Sequence, residues 1–241
     1  NGRDSVEVNT TFEHFPLSLA NAFMPDQVVA FTGDIDGGLY ISGAMEKPKL
    51  SGDLSLDSVS VYARQAGARY WFDNRPLKIE NNQLIFNKFA IYTTSRNPFT
   101  IDGNVDFRNM ENPTAKLNLR AQNYTLLDAP RTKESMIYGK IFVDLNATVR
   151  GPLDGLTMRG NMNLLGNTDV TYVLTDSPLT VEDRLGELVT FTSFTDTTSV
   201  QATEVPTMSL GGMDMLMSVH IDDAVRLRAD LSPDRSSRVE L

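Results

Sequence analysis

Cysteine is absent from the 241 residues, and histidine occurs only at His14 and His220. That excludes a disulfide framework, a thiolate metal site and a cysteine nucleophile. Two lone histidines cannot assemble an acid–base or zinc constellation of familiar spacing, and His220 sits on the polar parity of its strand. Runs of 18 apolar residues are missing, so no segment can span a bilayer as a helix. Positive charge is scarce, with 22 Lys and Arg against 31 Asp and Glu, a net charge of −9 and a pI of about 4.7. Nucleic acid is therefore excluded as a partner, because phosphate-backbone binding needs basic patches. No G-x-S-x-G, P-loop, G-x-G-x-x-G or H-E-x-x-H occurs. Asp34-Ile35-Asp36-Gly37 looks like the start of a calcium loop but lacks the chelating continuation and the terminal glutamate. The inventory predicts no catalytic residue, no cofactor and no metal.

What the chain does have is alternation. Leu39 and Ile41 share one parity, as do Leu50, Leu54 and Leu56; then Val59 and Val61; Leu84 and Phe86; Ile101, Val105 and Phe107; and Leu117 and Leu119. Ile141, Val143 and Leu145 follow, then Met158, Met162 and Leu164, Val170 and Tyr172, and Met215 to Ile221. Polar residues fill most of the positions between them, which is the pattern of antiparallel strands with one dry and one wet face. Asp36-Gly37-Gly38, Glu80-Asn81-Asn82, Asn109-Met110-Glu111-Asn112-Pro113 and Asp222-Asp223 read as turns. The pattern predicts an antiparallel meander without βαβ crossovers, since no helical segments of suitable length separate the strands. Two short helices are expected, one over Pro16 to Phe23 and one over Val181 to Val189 opened by Thr180 and Asp183. The single tryptophan lies in the most aromatic stretch, Arg69-Tyr70-Trp71-Phe72, read as a sheet rim or a stacking surface.

Glycine placement is the sharper signal. Of 16 glycines, about 2.7 should have apolar residues at both −2 and +2 by chance at 41% hydrophobic content, yet eight do. Gly37 is assigned to a turn. The other seven, Gly33, Gly43, Gly52, Gly103, Gly139, Gly151 and Gly160, fall on the apolar face of strands, where a missing side chain lets a sheet curl. The predicted fold is all-β, a strongly curved, mainly antiparallel sheet forming an open half-pipe with an apolar trough. At about 4.8 Å per strand, roughly 15 strands along one axis would give about 70 Å of groove.

A weak internal repeat relates about 33–57 to 141–165. Ile41-Ser42-Gly43 with Leu50-Ser51-Gly52-Asp53-Leu54-Ser55-Leu56 matches Val149-Arg150-Gly151 with Met158-Arg159-Gly160-Asn161-Met162-Asn163-Leu164 at a constant offset. We expect residues 1–241 to form a single elongated domain. The start lacks a signal-peptide pattern and the end stops within an alternating strand, so both read as cuts through a longer protein.

His14-Phe15-Pro16-Leu17-Ser18-Leu19-Ala20-Asn21-Ala22-Phe23-Met24-Pro25-Asp26, then Leu39 to Gly43 and Lys47 to Leu56, together with the block from Gly151 to Leu164 and Pro178 to Leu185, resemble the C-terminal domain of the TamB family. The resemblance is to a Bacteroides-type, AsmA-like member, a subunit of the translocation and assembly module, and it covers most of the chain. It implies a periplasmic half-pipe in a parent protein anchored in the inner membrane, with roles in outer-membrane protein assembly beside a TamA-like barrel and in phospholipid movement between membranes. The membrane helix and the stretch that would reach the barrel are not seen here, so neither anchoring nor barrel contact is assigned to a residue.

From these readings we expect a non-enzymatic groove for phospholipid or another acyl chain. It would be lined by Leu39, Ile41, Leu50, Leu54, Leu56, Val59, Val61, Leu84, Phe86, Ile101, Val105, Phe107, Leu117, Leu119, Ile141, Val143, Leu145, Met158, Met162 and Leu164. The alternative is a chaperone-like module that binds unfolded outer-membrane strands by β-augmentation. A third reading, a glycan hydrolase, would need an acid pair in a polar cleft.

Overall fold

The computed structural model describes residues 5–23, 29–44, 47–64, 67–132, 135–173, 208–210, 213–230 and 238–240. The second expected helix lies outside them.

Fifteen strands form one sheet: β1 (Ser5–Pro16), β2 (Val29–Ala44), β3 (Lys49–Ala63), β4 (Ala68–Phe72), β5 (Leu77–Glu80), β6 (Gln83–Tyr92), β7 (Phe99–Asp106), β8 (Thr114–Ala129), β9 (Ile137–Pro152), β10 (Thr157–Leu164), β11 (Asp169–Val173), β12 (Met208–Leu210), β13 (Met213–Ile221), β14 (Arg226–Asp230) and β15 (Arg238–Glu240). The main path runs β1-β2-β3-β4-β6-β7-β8-β9-β10-β13-β12. Its ten steps span about 48 Å at the usual spacing. That corrects the expected 70 Å, because β4 with β5, β10 with β11, β13 with β14 and β12 with β15 share a rank.

The meander is antiparallel up to β10, and then the pattern changes. β13 pairs with β10, and β14 with β11, both in parallel and at one shared offset: Thr157 faces Asp214 and Asp169 faces Arg226. Alternation cannot foretell this, because a strand reads the same whichever direction its neighbour runs.

The expected first helix is a short 3₁₀ helix, Leu17–Phe23. Asn21 clips it to β2, its Nδ2 donating to the carbonyl of Phe31 at 3.0 Å while its Oδ1 accepts the Phe31 N–H at 2.7 Å. The Asn81-Asn82 turn is observed with both residues at positive φ, as a tight hairpin demands. Asn82 is buried and ties that turn to β3, accepting the Leu50 N–H at 3.0 Å and donating to the Pro48 carbonyl at 2.8 Å. Asp36-Gly37-Gly38 is not a turn. It lies inside β2, where Gly37 faces Leu54 and adopts φ 132°. A Cβ on Gly37 would sit 2.1 Å from the Asp53 carbonyl, so close backbone approach, not chain reversal, requires this glycine.

A line of bulges folds the sheet. β1, β3, β6 and β8 are alternate ranks running the same way, and each breaks register, at His14, Ser58, Lys88 and Asn123. All four residues have positive φ, between 43° and 52°. The breaks between β4 and β5, between β10 and β11, and between β13 and β14 continue the line. Each bulge inserts one residue, so the apolar parity flips across it: Leu56 gives way to Val59, Phe86 to Phe89, Ala121 to Tyr124. β1, β3 and β6 are thereby each divided into two arms, and β8 breaks register once more between Thr125 and Leu127, with the apolar side chains kept on one face. In the arm beyond the bulges the sheet curls until non-adjacent strands touch. The Tyr70 hydroxyl on β4 donates to the Leu126 carbonyl on β8 at 2.9 Å, and Ala68 packs in one cluster with Leu127, Ala129 and Val170.

Candidate functional site

The ladder registers place the expected lining residues on a single inner face. Ile41 faces Leu50, and Leu56 faces Ile35. Leu54 continues to Leu77 on β5, and Ile79 to Leu84. Leu84 faces Val105, and Ile101 faces Leu119. Leu117 faces Val149, which faces Met158, and Leu145 and Val143 face Met162 and Leu164. Phe107 follows β7 by one residue. Past the bulges Val59, Val61 and Ile141 hold the same face.

That face has two regimes. Leu119, Val143 and their neighbours Ile101, Leu117, Ile141, Leu145, Met158, Met162 and Leu164 belong to packed clusters with Ala121, Tyr124, Ala147 and Val149. Toward β1, Leu39, Ile41, Leu50, Leu54 and Leu56 are half-buried and belong to none of these clusters. Val59, Val105, Leu119 and Val143 are buried; the other lining residues are half-buried. The trough is thus filled by the protein's own side chains near β8 and β9 and only half-buried near β2 and β3.

The alternation alone did not name several residues on this face. Phe89, Ile91, Tyr124 and Leu127 come after bulges, where a period-two count loses phase. Across the parallel seam Met215 and Met217 lie beside Met158 and Gly160. Among the described residues no Asp or Glu occupies an inner-face position of the paired strands, so the acid pair that glycan hydrolysis requires has no place there.

The predicted glycines bring backbones close. At Gly103, φ is 131° and an added Cβ would lie 2.0 Å from the Lys116 carbonyl of β8. Gly33, Gly43, Gly52, Gly139 and Gly151 also have positive φ, whereas Gly160 does not and owes its identity to Ala147, whose Cα would be 2.6 Å from an added Cβ. At Gly33, Gly52, Gly103 and Gly139 an L side chain would collide with the backbone of the neighbouring strand, whereas Gly43 has only ordinary contacts and Gly151 approaches the turn that follows its own strand.

Among the described residues of the paired strands, the charged side chains take the outer-face positions. Arg108 beside Asp106 holds that carboxyl well below the usual carboxylate range. Burial pushes the Tyr124 hydroxyl up, helped by Tyr70, whose own hydroxyl is raised by burial. Asp36, from the calcium-like segment, accepts the His14 N–H at 2.8 Å. His14, Asp36 and Asp57 bring one ligand atom each within 4.8 Å of one another, the one such grouping among the described residues. All three lie at the surface, and Asp36 is already engaged. Trp71 on β4 is 40% exposed on the outer face opposite Tyr92, outside the trough. No helix among the described residues is long and apolar enough to cross a membrane.

The family model for the TamB C-terminal domain matches residues 87–237, more than half of the chain. No curated protein and no solved structure matches it.

Proposed function

The chain belongs to the TamB C-terminal domain family of periplasmic envelope proteins that serve outer-membrane assembly, and from that premise we propose that its inner face is a non-enzymatic conduit for phospholipid acyl chains moving between the two membranes. The observation that supports this reading is one stretch of the face, Leu39, Ile41, Leu50, Leu54 and Leu56, which is apolar, half-buried and outside the packed clusters. Burial of each methylene contributes about 0.8 kcal/mol, so a 16-carbon chain lying in a dry groove gains on the order of 10 kcal/mol before entropy is subtracted. A conduit works best when that gain is uniform, since one deep site would hold its cargo. An aliphatic and methionine wall without convergent polar groups suits this requirement.

A second reading, capture of unfolded outer-membrane strands, has its own observation. Among the described residues β1 pairs only with β2, which leaves one backbone edge open, with Val8 and Phe15 exposed beside it. Such an edge accepts an added strand.

The test is mass spectrometry of lipids extracted from the purified chain, comparing wild type with Ile41→Arg and Leu54→Arg. These positions are half-buried, so a charge there blocks the groove without entering a sealed core; arginine at Val105 or Val143 would test folding instead. Loss of lipid with an unchanged melting temperature supports the conduit. Unchanged lipid content, or binding of unfolded strand peptides alone, favours the second reading.

A further inference from the structure

We propose that the outer, polar face of the sheet binds a neutral saccharide chain, through a carboxamide cleft and an aromatic notch set on either side of the segment 93–98. The inference does not depend on the lipid reading, because it concerns the opposite face.

The cleft has a volume of about 630 Å³, within the range of small-ligand sites. It lies along the outer row in which Thr100 faces Arg120, Arg120 faces Asn146 and Asn146 faces Asn161, with Asp144 facing Asn163 beside it. Five of its lining residues are carboxamides, Asn97, Gln122, Asn146, Asn161 and Asn163. The side chains of Gln122, Asn146, Asn161 and Asn163 make no hydrogen bond to another described residue, so their donors and acceptors face solvent in the cleft. Each carboxamide offers one acceptor oxygen and two N–H donors. That is the complement of hydroxyl and acetamido groups, which both donate and accept. One arginine and one aspartate cancel in charge, so the cleft has no field for phosphate, and its polarity suits no acyl chain.

The notch, about 180 Å³, is lined by Tyr62, Arg69, Trp71, Thr94 and Asp128 among others. Its wall is preset: the Arg69 guanidinium lies 5.4 Å from the Tyr62 ring centroid and donates to Ser60 Oγ at 2.9 Å. Trp71, 40% exposed beside the polar side chains of Arg69, Thr94 and Asp128, complements a sugar ring, which has an apolar C–H face and a hydroxylated edge. Cleft and notch share the segment 93–98, with Thr93 and Thr94 in the notch and Asn97 and Pro98 in the cleft. That segment is bound to β8, Thr93 Oγ1 donating to the Thr125 carbonyl at 2.8 Å, Thr94 Oγ1 to Asp128 at 2.9 Å and Asn97 Nδ2 to the Asn123 carbonyl at 3.0 Å. The two sites are therefore held in a fixed relation by one segment, and the proposed occupant is a chain of sugars that reaches both.

Because Trp71 is the chain's single tryptophan, its emission reports on the notch alone. The experiment titrates the full chain with chitotetraose, and with maltotetraose to separate acetamido from hydroxyl recognition, following Trp71 emission and, in parallel, calorimetric heat. Purified peptidoglycan sacculi and polysaccharide released from lipid carriers, tested by co-sedimentation and calorimetry, distinguish the two sources of such a chain. We expect saturable binding, with Kd raised at least about tenfold by Asn146→Ala with Asn161→Ala, and comparably by Trp71→Ala read by calorimetry. All these side chains are at the surface, so melting temperatures should hold, and Leu54→Arg should leave binding unchanged. The absence of a saturable signal with every saccharide at millimolar concentration would overturn the proposal, as would binding that is indifferent to the asparagine pair or to Trp71.

Discussion

Asp102 on β7 accepts the backbone N–H of Lys88 on β6 at 2.8 Å, and this contact holds a lysine at φ 48° in mid-strand. The same relation recurs between Asp36 and the His14 N–H at 2.8 Å and between Asp144 and the Asn123 N–H at 2.7 Å. A bulge leaves a backbone N–H without a ladder partner, and a carboxylate from the next strand supplies one. Removing that carboxylate should cost up to about 1.5–3 kcal/mol, the range for a hydrogen bond to a charged group. We therefore expect Asp102→Ala and Asp144→Ala each to lower the urea midpoint, with Asp102→Asn recovering part of the loss. Wild-type stability in both alanine variants would show that the bulges need no cap.

Gly103→Ala should be among the most damaging single changes. Its Cβ would lie 2.0 Å from the Lys116 carbonyl at a φ of 131°, so either the strand pair separates or the backbone rearranges. A loss of about 3 kcal/mol or more is expected. Gly155→Ala is the control, since the nearest atom to its Cβ would be Pro152 Cγ at 3.6 Å and its φ is not in the strained region. It should change stability by no more than about 0.5 kcal/mol. Equal melting temperatures for the two variants would contradict the close approach of β7 and β8.

Alkaline pH should destabilise the fold through Tyr124 and Tyr70. Burial raises both hydroxyls above the ordinary value of 10.0. The unfolded chain then ionises first, so the stability these groups contribute is complete below pH 10 and declines as pH rises toward their folded values. Tyr124→Phe should flatten that decline, measured as melting temperature between neutral pH and pH 11, and should remove one late-titrating phenol from the absorbance titration. A decline of unchanged steepness would place the alkaline sensitivity elsewhere.

The one-faced apolar pattern was legible because period two survives within each arm: Leu50 to Leu56 and Leu117 to Leu119 needed only counting. The bulges were not. His14, Ser58, Lys88 and Asn123 include no glycine, and the carboxylates that cap three of them come from other strands, so no local signal marks them. Gly37 was misread for the opposite reason, since Asp-Gly-Gly carries a turn signal although its glycine serves a backbone contact made by β3. The hairpin similarity visible in the sequence has a counterpart in the ladders, where Ile41 faces Leu50 and Val149 faces Met158. The structure adds Asp36 and Asp144 at matching places in the two hairpins. The parallel seam, the filling of the trough near β9 and the outer cleft all depend on which strands become neighbours, which alternation does not encode.

In the conduit proposed above, acyl chains lie against the inner face near β3. Leu54 and Asp53 are consecutive residues on opposite faces of that strand, so a photoreactive benzoylphenylalanine at each position, irradiated with phospholipid vesicles, compares the two faces at one level of the sheet. The account predicts lipid adducts by mass spectrometry at position 54 and none at position 53; adducts at both positions alike, or at 53 alone, would contradict it.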